Sequence, residues 1–356
     1  MRILYGVQAT GNGHITRAWV LLPALQAAGV EVDVLLSGRA PEQLFNMECF
    51  GRFETRRGFT FVTSAGRVGW LKTLRQSRPV QFWRDYRQLD LSRYDLVLSD
   101  FEPVTAWAAR HQGAPSLGIA HQYAFHHPIP GTGFKPWLKP SLKLFAPVDE
   151  AVGVHWYHFD APILPPLVAP PPYPLTEEPD KILVYLPFES MDEVIYWLSA
   201  FPKYRFRVYC NIATPEQRGP LELQPFSRDG FQRDLCSCAG VISNAGFGLC
   251  SEAIQAGKKL LVKPLHSQVE QRSNAAVLKQ MGLANTMSEL ALEPVEAWLA
   301  QSSPSPSPWP DVATALAQWI ASGRQQSLDA LGRELWQQEY VRQFSPSHAR
   351  LRQPLL

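Results

Sequence analysis

The 356-residue sequence predicts an α/β protein of two domains. Each is a mostly parallel sheet with helices on both faces, and the two open onto a shared cleft. Three observations carry this expectation. Short apolar runs of strand length alternate with stretches of helical pattern through the first half, and the same rhythm restarts in the second. Between them, residues 162–179 hold eight prolines, which no helix interior or central strand accommodates. The length is roughly twice a typical domain of about 150 residues, and 46% of the residues are apolar, enough for two cores.

Arg2–Val7 reads as a short buried strand. A helix over Ile15–Ala28 follows, stopped by Gly29 just past its end. Val30–Leu36 alternates at first and then becomes fully apolar, as a second strand would. Pro41–Phe50 reads as a short helix, Phe59–Thr63 as a strand and Trp70–Leu89 as a longer helix. Tyr94–Ser99 is a strand ending at Asp100; Pro103–His111 is a helix with proline in its first turn, and Ser116–Ala120 a further strand.

Beyond the proline run, read as a semi-rigid linker, strands are expected at Lys181–Leu186, Arg205–Cys210, Gly240–Ser243 and Lys259–Val262. Helices are expected at Met191–Phe201, Gly230–Cys238, Phe247–Ala256 and Val269–Met281, the last two stopped by Gly257 and Gly282. Residues 302–310 form a Ser/Pro loop, and helical patterns resume over Asp311–Tyr340. The expected division is a first domain at 1–162, a linker at 163–180, a second domain at 181–310 and C-terminal helices at 311–356.

Composition narrows the function. A net charge of +2 lacks the basic footprint of a nucleic-acid binder, and 11% aromatic residues exclude global disorder. Five cysteines without a C-x-x-C pair predict reduced thiols in a cytoplasmic protein. The N-terminal apolar run is too short for a signal peptide, and no run approaches the ~18 residues of a membrane span.

Three loops at expected strand ends carry the chemistry. Gly11-Asn12-Gly13-His14 lies between the first strand and first helix, where glycines admit close backbone approach and a helix start favours an anion. Thr16 occupies the third glycine position of a dinucleotide fingerprint, and no carboxylate follows strand two. His14 reads either as a proton acceptor near neutral pH or as a residue that only bonds its loop.

The second loop, Ser243-Asn244-Ala245-Gly246-Phe247-Gly248, runs from strand to helix, with Asn244 the expected N-cap. Glu252 lies four residues past Gly248 on the same helix face. The rise of about 6 Å matches the span from a nucleotide's phosphate to its ribose diol. A carboxylate accepts both cis hydroxyls; the plainer reading is a solvated helix residue. In the third loop, Glu270 and Gln271 offer acceptors and donors to sugar hydroxyls, or Glu270 simply complements its helix dipole.

Together these segments resemble a known group. S-N-A-G-F-G-L-C-S-E-A, A-G-K-K-L-L-V-K-P-L and E-Q-R-S-N-A, between Val241 and Leu278, are similar to the nucleotide-sugar motif of GT-B glycosyltransferases. Among these they resemble glycosyltransferase family 28, with its MurG-type N-acetylglucosaminyltransferases, and the UDP-glycosyltransferases. Gly11-Asn12-Gly13-His14 resembles their G-x-G-H loop. Tyr94–Glu102 and His121-Gln122 are similar to an incompletely characterised bacterial and archaeal branch.

The resemblance spans about residues 1–285 and implies two Rossmann-like domains, with the final helices crossing back to the first. It implies that Glu252 binds ribose, that Ser243, Asn244, Gly246, Phe247 and Gly248 lie against the diphosphate, and that Glu270 and Gln271 read the hexose. The resemblance also places Gly11, Asn12 and Gly13 in the nucleotide-sugar site and matches His14 to a histidine that acts as base in several members. Asp100 or Glu102 orients His14 or binds the acceptor; Asp100 reads alternatively as the cap of the helix near Pro103. Where relatives carry a glycine-rich turn, this chain has Pro187-Phe188-Glu189-Ser190, and Glu189 there would repel a diphosphate unless turned away.

The expected reaction is inverting transfer of a hexose from a UDP-sugar to a hydroxyl acceptor. It needs no cofactor, since the UDP-sugar is a co-substrate, and no metal, since there is no D-x-D pair. Residues 67–87 carry Arg67, Lys72, Arg75, Arg78, Arg84 and Arg87 among Trp70, Phe82, Trp83 and Tyr86, with more basic and aromatic residues at 134–145. These suit a lipid-linked or cell-envelope acceptor at the inner face of a membrane, or form a solvated face over buried aromatics. The scaffold also admits a nucleotide-sugar hydrolase, a 2-epimerase or a non-catalytic binder.

Overall fold

The computed structural model describes residues 1–44, 47–58, 63–64, 67–68, 79–133 and 135–337. The first sheet uses β1 (Arg2–Gln8), β2 (Glu31–Ser37), β3 (Phe53–Arg56), β6 (Leu96–Asp100), β7 (Ser116–Ala120), β8 (Glu150–Val154) and β9 (Ile163–Leu164). Its order is β3-β2-β1-β6-β7-β8-β9, and every pairing is parallel. A separate antiparallel pair joins β4 (Thr63–Ser64) to β5 (Arg67–Val68). The expected strand at Phe59–Thr63 and helix from Trp70 lie largely outside the described residues; within them α2 covers Pro79–Gln88.

The second sheet uses β10 (Glu178–Tyr185), β11 (Arg205–Tyr209), β12 (Glu216–Arg218), β13 (Leu221–Gln224), β14 (Cys238–Ser243), β15 (Lys259–Val262) and β16 (Asn285–Thr286). Its order, β12-β13-β11-β10-β14-β15-β16, repeats that logic, with only β12 antiparallel. Each sheet is a doubly wound, Rossmann-like layer. Strand order reverses between β1 and β6 in the first sheet and between β10 and β14 in the second. Loops leaving those strands diverge to opposite faces and leave a crevice, where ligands bind in this architecture. Gly11–His14, Asp100, Glu189 and Asn244 all fall at these two points.

The remaining helices are α1 (Asn12–Ala27), α3 (Pro103–Gln112), α4 (His121–Ala124), α5 (Leu138–Phe145), α6 (Met191–Leu198), α7 (Arg228–Ser237), α8 (Phe247–Gln255), α9 (Val269–Gln280), α10 (Leu292–Leu299), α11 (Val312–Ala321) and α12 (Leu328–Trp336). Helix α11 packs on α1 and α12 on β9, so the C-terminal helices cross back to the first sheet. Trp336 Nε1 donates to Ile163 O at 2.6 Å, and Arg324 pairs with Glu150 at 2.9 Å.

The proline run contributes more than a spacer. Ile163–Leu164, between Pro162 and Pro165, is the edge strand β9, a place where proline is tolerated because no further ladder must form. At its far end, Glu178 and Pro179 already belong to β10. One continuous apolar cluster runs from Ile3, Val7 and Leu22 through Trp156 and Leu164 to Val241, Val262 and Leu316, joining both sheets and the crossing helix. Among the described residues no helix is long and apolar enough to cross a membrane.

Candidate active site

Helix α1 starts at Asn12 with Gly11 as N-cap, earlier than the hydrophobic pattern suggests, because polar residues fill its first turn. His14 therefore sits in that turn, above the end of β6. Its Nδ1 lies 2.7 Å from Asp100 Oδ1. Asp100 is fully buried and also accepts from Arg17, at 2.7 Å from Nε and 2.5 Å from Nη2. Burial works to raise the Asp100 carboxyl, but Arg17 and His14 outweigh it and hold it below the usual range.

An ionised carboxylate only accepts, so the hydrogen-bond network assigns the His14 proton to Nδ1 and leaves an Nε2 lone pair. Arg17 Nη2 also approaches His14 Nδ1, at 3.0 Å. Arg17 was not among the sequence-derived candidates. Its signal was its spacing, three residues past His14 on one helix face.

Glu102 has a different job from the one expected. Phe101 takes a left-handed φ of 52°, which turns the chain so that Glu102 faces the start of α3. As its N-cap, Glu102 accepts from Val104 N, Thr105 N and Thr105 Oγ1, each at 2.7 Å, and from Ser37 Oγ at 2.5 Å. Burial nonetheless pushes its carboxyl up. It is 0% exposed, and its hydrogen bonds go to Ser37, Val104 and Thr105 rather than to His14. The capping role considered for Asp100 belongs to Glu102.

In the second loop, the N-cap of α8 is Gly246, not Asn244. Asn244 instead donates from Nδ2 to Lys263 O at 3.0 Å and to Glu189 Oε1 at 3.2 Å. Lys263 Nζ meets the same Glu189 oxygen at 2.8 Å, so the glutamate that would repel a diphosphate is already paired. The Phe247 ring is also turned away from the cleft. It stacks on His121, with centroids 4.0 Å apart and planes within 7°, and lies 4.9 Å from Trp156. Only its backbone is placed to meet a ligand.

Around Gly11, Gly13 and Gly246 a Cβ would meet nothing within 4 Å, and one built on Gly248 would meet only Gly13 Cα, at 3.8 Å. The starts of α1 and α8 thus approach each other closely, Gly248 against Gly13, with open space beside Gly11, Gly13 and Gly246, and each helix start carries free N–H groups. Asn12 links the two sheets at this junction, donating to Tyr185 OH at 3.3 Å and accepting from Arg39 at 3.0 Å.

The third loop closes the far side. Glu270 accepts from Gln122 of α4 at 3.0 Å. Gln271 is buried, and its Oε1 accepts from Leu265 N at 2.9 Å, bracing its own loop. Asn274 accepts from His121 Nε2 at 2.8 Å and donates to Ala245 O at 2.9 Å. Glu252, partly buried, is bonded by Gln232 at 3.1 Å; burial raises its carboxyl, opposed by Arg228 and Gln232. It lines a cavity of about 240 Å³ with Arg228, Gln232, Tyr173 and Pro170–Pro172. The sequence reading gave no role to Arg228 and Arg39, which lie outside every motif, nor to Lys263 and Gln122, which it quoted only as part of the resemblance.

The profile of Glycosyl transferase family 1 matches residues 1–128 and 160–302. The chain belongs to that family. No curated protein matches this glycosyltransferase by sequence. Its fold is shared with SnogD from Streptomyces nogalater, at TM-score 0.53 and 16% identity over 94% of this chain and 96% of that one. The same holds for LpCGTa in complex with UDP, at 0.57 and 14% over 97% and 99%. A third is SsfS6 of Streptomyces sp. SF2575 complexed with thymidine diphosphate, at 0.56 and 16% over 96% of each chain. These likenesses establish a GT-B fold for this glycosyltransferase.

Proposed function

We propose that this glycosyltransferase transfers a hexose from a UDP-sugar to a hydroxyl acceptor, with inversion and without a metal. The observation that carries the reading is the His14–Asp100 pair in the first turn of α1, where the adjacent Gly13 lies against Gly248 at the start of α8. The acceptor hydroxyl gives its proton to His14 Nε2 as its oxygen attacks the anomeric carbon. The bond from that carbon to the phosphate oxygen breaks, and UDP leaves from the opposite face. Asp100, held by Arg17, keeps the imidazole in the tautomer that accepts at Nε2.

Free N–H groups of α8 take up the charge developing on the leaving diphosphate, a role for preorganised amides. Ser243, Asn244, Gly246 and Gly248 form that cradle, with Gly11, Asn12 and Gly13 opposite. Glu252 accepts from the ribose diol at its cavity, and Glu270 reads the hexose. UDP and thymidine diphosphate in two structures of the same fold support a pyrimidine diphosphate here.

The acceptor reading is a lipid-linked or envelope glycan met at the inner face of a membrane. Exposed Trp83, Trp137 and Leu144 support it, standing beside Arg84, Arg87, Lys139 and Lys143 on α2 and α5.

The test is turnover of UDP-hexoses by wild type and His14→Ala, with UDP binding measured by calorimetry. The expected outcome is acceptor-dependent UDP release, insensitive to EDTA, that falls at least about 10²-fold in the variant. UDP affinity should be unchanged. Acceptor-free consumption or isomerisation of the sugar would turn the reading to a hydrolase or 2-epimerase, and binding without turnover to a sensor.

A further inference from the structure

One cation beside the donor cavity stands where the fold gains little from it. Arg228 is the first residue of α7, and a positive charge at a helix start opposes the helix dipole. It is partly buried, and burial works against its charge. Among the described residues it joins no ion pair. An aromatic ring of the other half holds it instead. The guanidinium carbon lies 4.0 Å from the centroid of the Trp19 ring, on α1, the helix that carries His14 in its first turn. Stacking of this kind fixes a guanidinium in place without neutralising it.

Arg228 and Glu252 line the same cavity of about 240 Å³, and Arg228 is the one cationic side chain among its described lining residues. The other acid there, Asp229, has partners of its own: Tyr173 OH donates to it, and Arg233 pairs with it at 2.9 Å. Burial pushes the Cys236 thiol up, so it adds no charge at neutral pH. Glu252 accepts one side-chain hydrogen bond, from the uncharged Gln232 one turn past Arg228, at 3.1 Å. To accept both hydroxyls of a ribose diol it must be ionised, because a neutral carboxyl turns one oxygen into a donor. Burial raises the Glu252 carboxyl, and the charge of Arg228 is the main influence that opposes the rise.

We propose that Arg228 is a positioning residue for the donor: seated on Trp19 of the first half, it supplies the positive charge that presents Glu252 of the second half to the ribose as a carboxylate. This role rests on Glu252 as the ribose reader. It adds that the ribose site on one sheet depends on a seat provided by the other, so that α1 serves the nucleotide's sugar as well as the acceptor's proton.

Calorimetry with UDP and with 2′,3′-dideoxyuridine diphosphate, between about pH 6 and pH 8.5, tests this on wild type, Arg228→Met, Arg228→Lys and Trp19→Leu. The two nucleotides carry the same diphosphate, so their affinity ratio cancels the titration of the phosphate. Wild type should prefer UDP by about tenfold or more across the range, the worth of hydrogen bonds to a charged group. In Arg228→Met the Glu252 carboxyl rises further and is protonated at the acid end. The preference should therefore shrink toward unity near pH 6 and recover toward pH 8.5, where Glu252 ionises unaided. Arg228→Lys keeps the charge and should keep the preference near pH 6. Trp19→Leu keeps the charge but removes its seat, and should lose part of the preference with the same pH dependence. Affinity for the dideoxy nucleotide should stay within about twofold throughout.

Equal losses for both nucleotides in Arg228→Met would make Arg228 a contact of the diphosphate or base, or a merely structural residue, and would overturn the proposal. So would a preference in Arg228→Met that stays at the wild-type value or falls equally at every pH. Failure of lysine to restore the preference, or a Trp19→Leu variant that matches wild type, would do the same. Each of these outcomes leaves Glu252 as the ribose reader. Wild type that binds the two nucleotides equally would remove that reading, and this proposal with it.

Discussion

Asp100 accepts from two side chains, and its geometry sets both the tautomer of His14 and the cost of burying Arg17. Its folded carboxyl lies below the ordinary range, so it stabilises the fold above the unfolded carboxyl's pKa of about 3.9. That contribution is lost as pH falls through the folded value. Asp100→Asn keeps the shape but strands a buried guanidinium, a change that typically costs about 3–5 kcal/mol. Urea midpoints should therefore show a large deficit for the variant at pH 7 that narrows below about pH 4. A deficit that stayed constant with pH would deny Asp100 its ionised role. His14 and Asp100 were legible in the sequence because both stand where a strand ends and a polar loop begins. Arg17 was not, since an arginine on a helix ordinarily reads as surface. The capping by Glu102 was not legible, because nothing in F-E-P announces the left-handed turn at Phe101 that aims Glu102 at the start of α3 and leaves Asp100 against His14.

Among the elements, strands with unbroken apolar runs were legible: β1, β6, β7, β14 and β15 all fall close to their expected places. Among those that escaped, β3 and β8 break their apolar pattern with polar or glycine residues, β9 is two residues between prolines, and β13 alternates over only four. Gly6 shows how closely the legible ones are fitted. A Cβ there would lie 2.0 Å from Thr105 Oγ1 and 2.8 Å from Glu102 Oε2, so β1 runs directly under the α3 cap only because the residue is glycine. Two further helices carry an element-scale consequence. Tyr86 of α2 lies 6.0 Å from Trp107, whose Nε1 donates to Leu144 O at 3.1 Å, so α2 and α5 flank one side of α3. Leu144 is 66% exposed, Trp137 55% and Trp83 47%, with Lys139, Lys143, Arg84 and Arg87 among them. Apolar tips ringed by cations suit an anionic bilayer, each basic residue contributing about 1 kcal/mol near its surface. The protein should co-sediment with anionic vesicles, release with added salt, and bind measurably less as Lys139→Glu/Lys143→Glu. Indifference to lipid charge would leave these helices as an ordinary solvated face.

At the scale of the whole molecule, two α/β halves with long-separated contacts would ordinarily unfold as separate units. The sequence announced the halves and the cleft, because alternation and a proline run are local patterns. It could not announce the clasp, which pairs residues as distant as His121 with Asn274 and Trp156 with Ser251. That clasp changes the expectation. The Trp156 indole donates to Ser251 at 2.8 Å, and Phe247 lies between His121 and Trp156. Helix α11, which follows the second sheet in the chain, packs on α1 of the first, within an apolar cluster shared by both. Exposing either half alone would open that cluster and strip Phe247 and its loop of the aromatic rings that hold them, so neither half has an independent native state at low cost. Calorimetry should then show one heat-absorption peak rather than two. UDP at 100 times its Kd should move the whole peak upward, corresponding to about 2.7 kcal/mol of added stability. Two resolved peaks, with only the later one responding to UDP, would mean that the halves fold alone and that the clasp is a contact of the closed state without weight in stability.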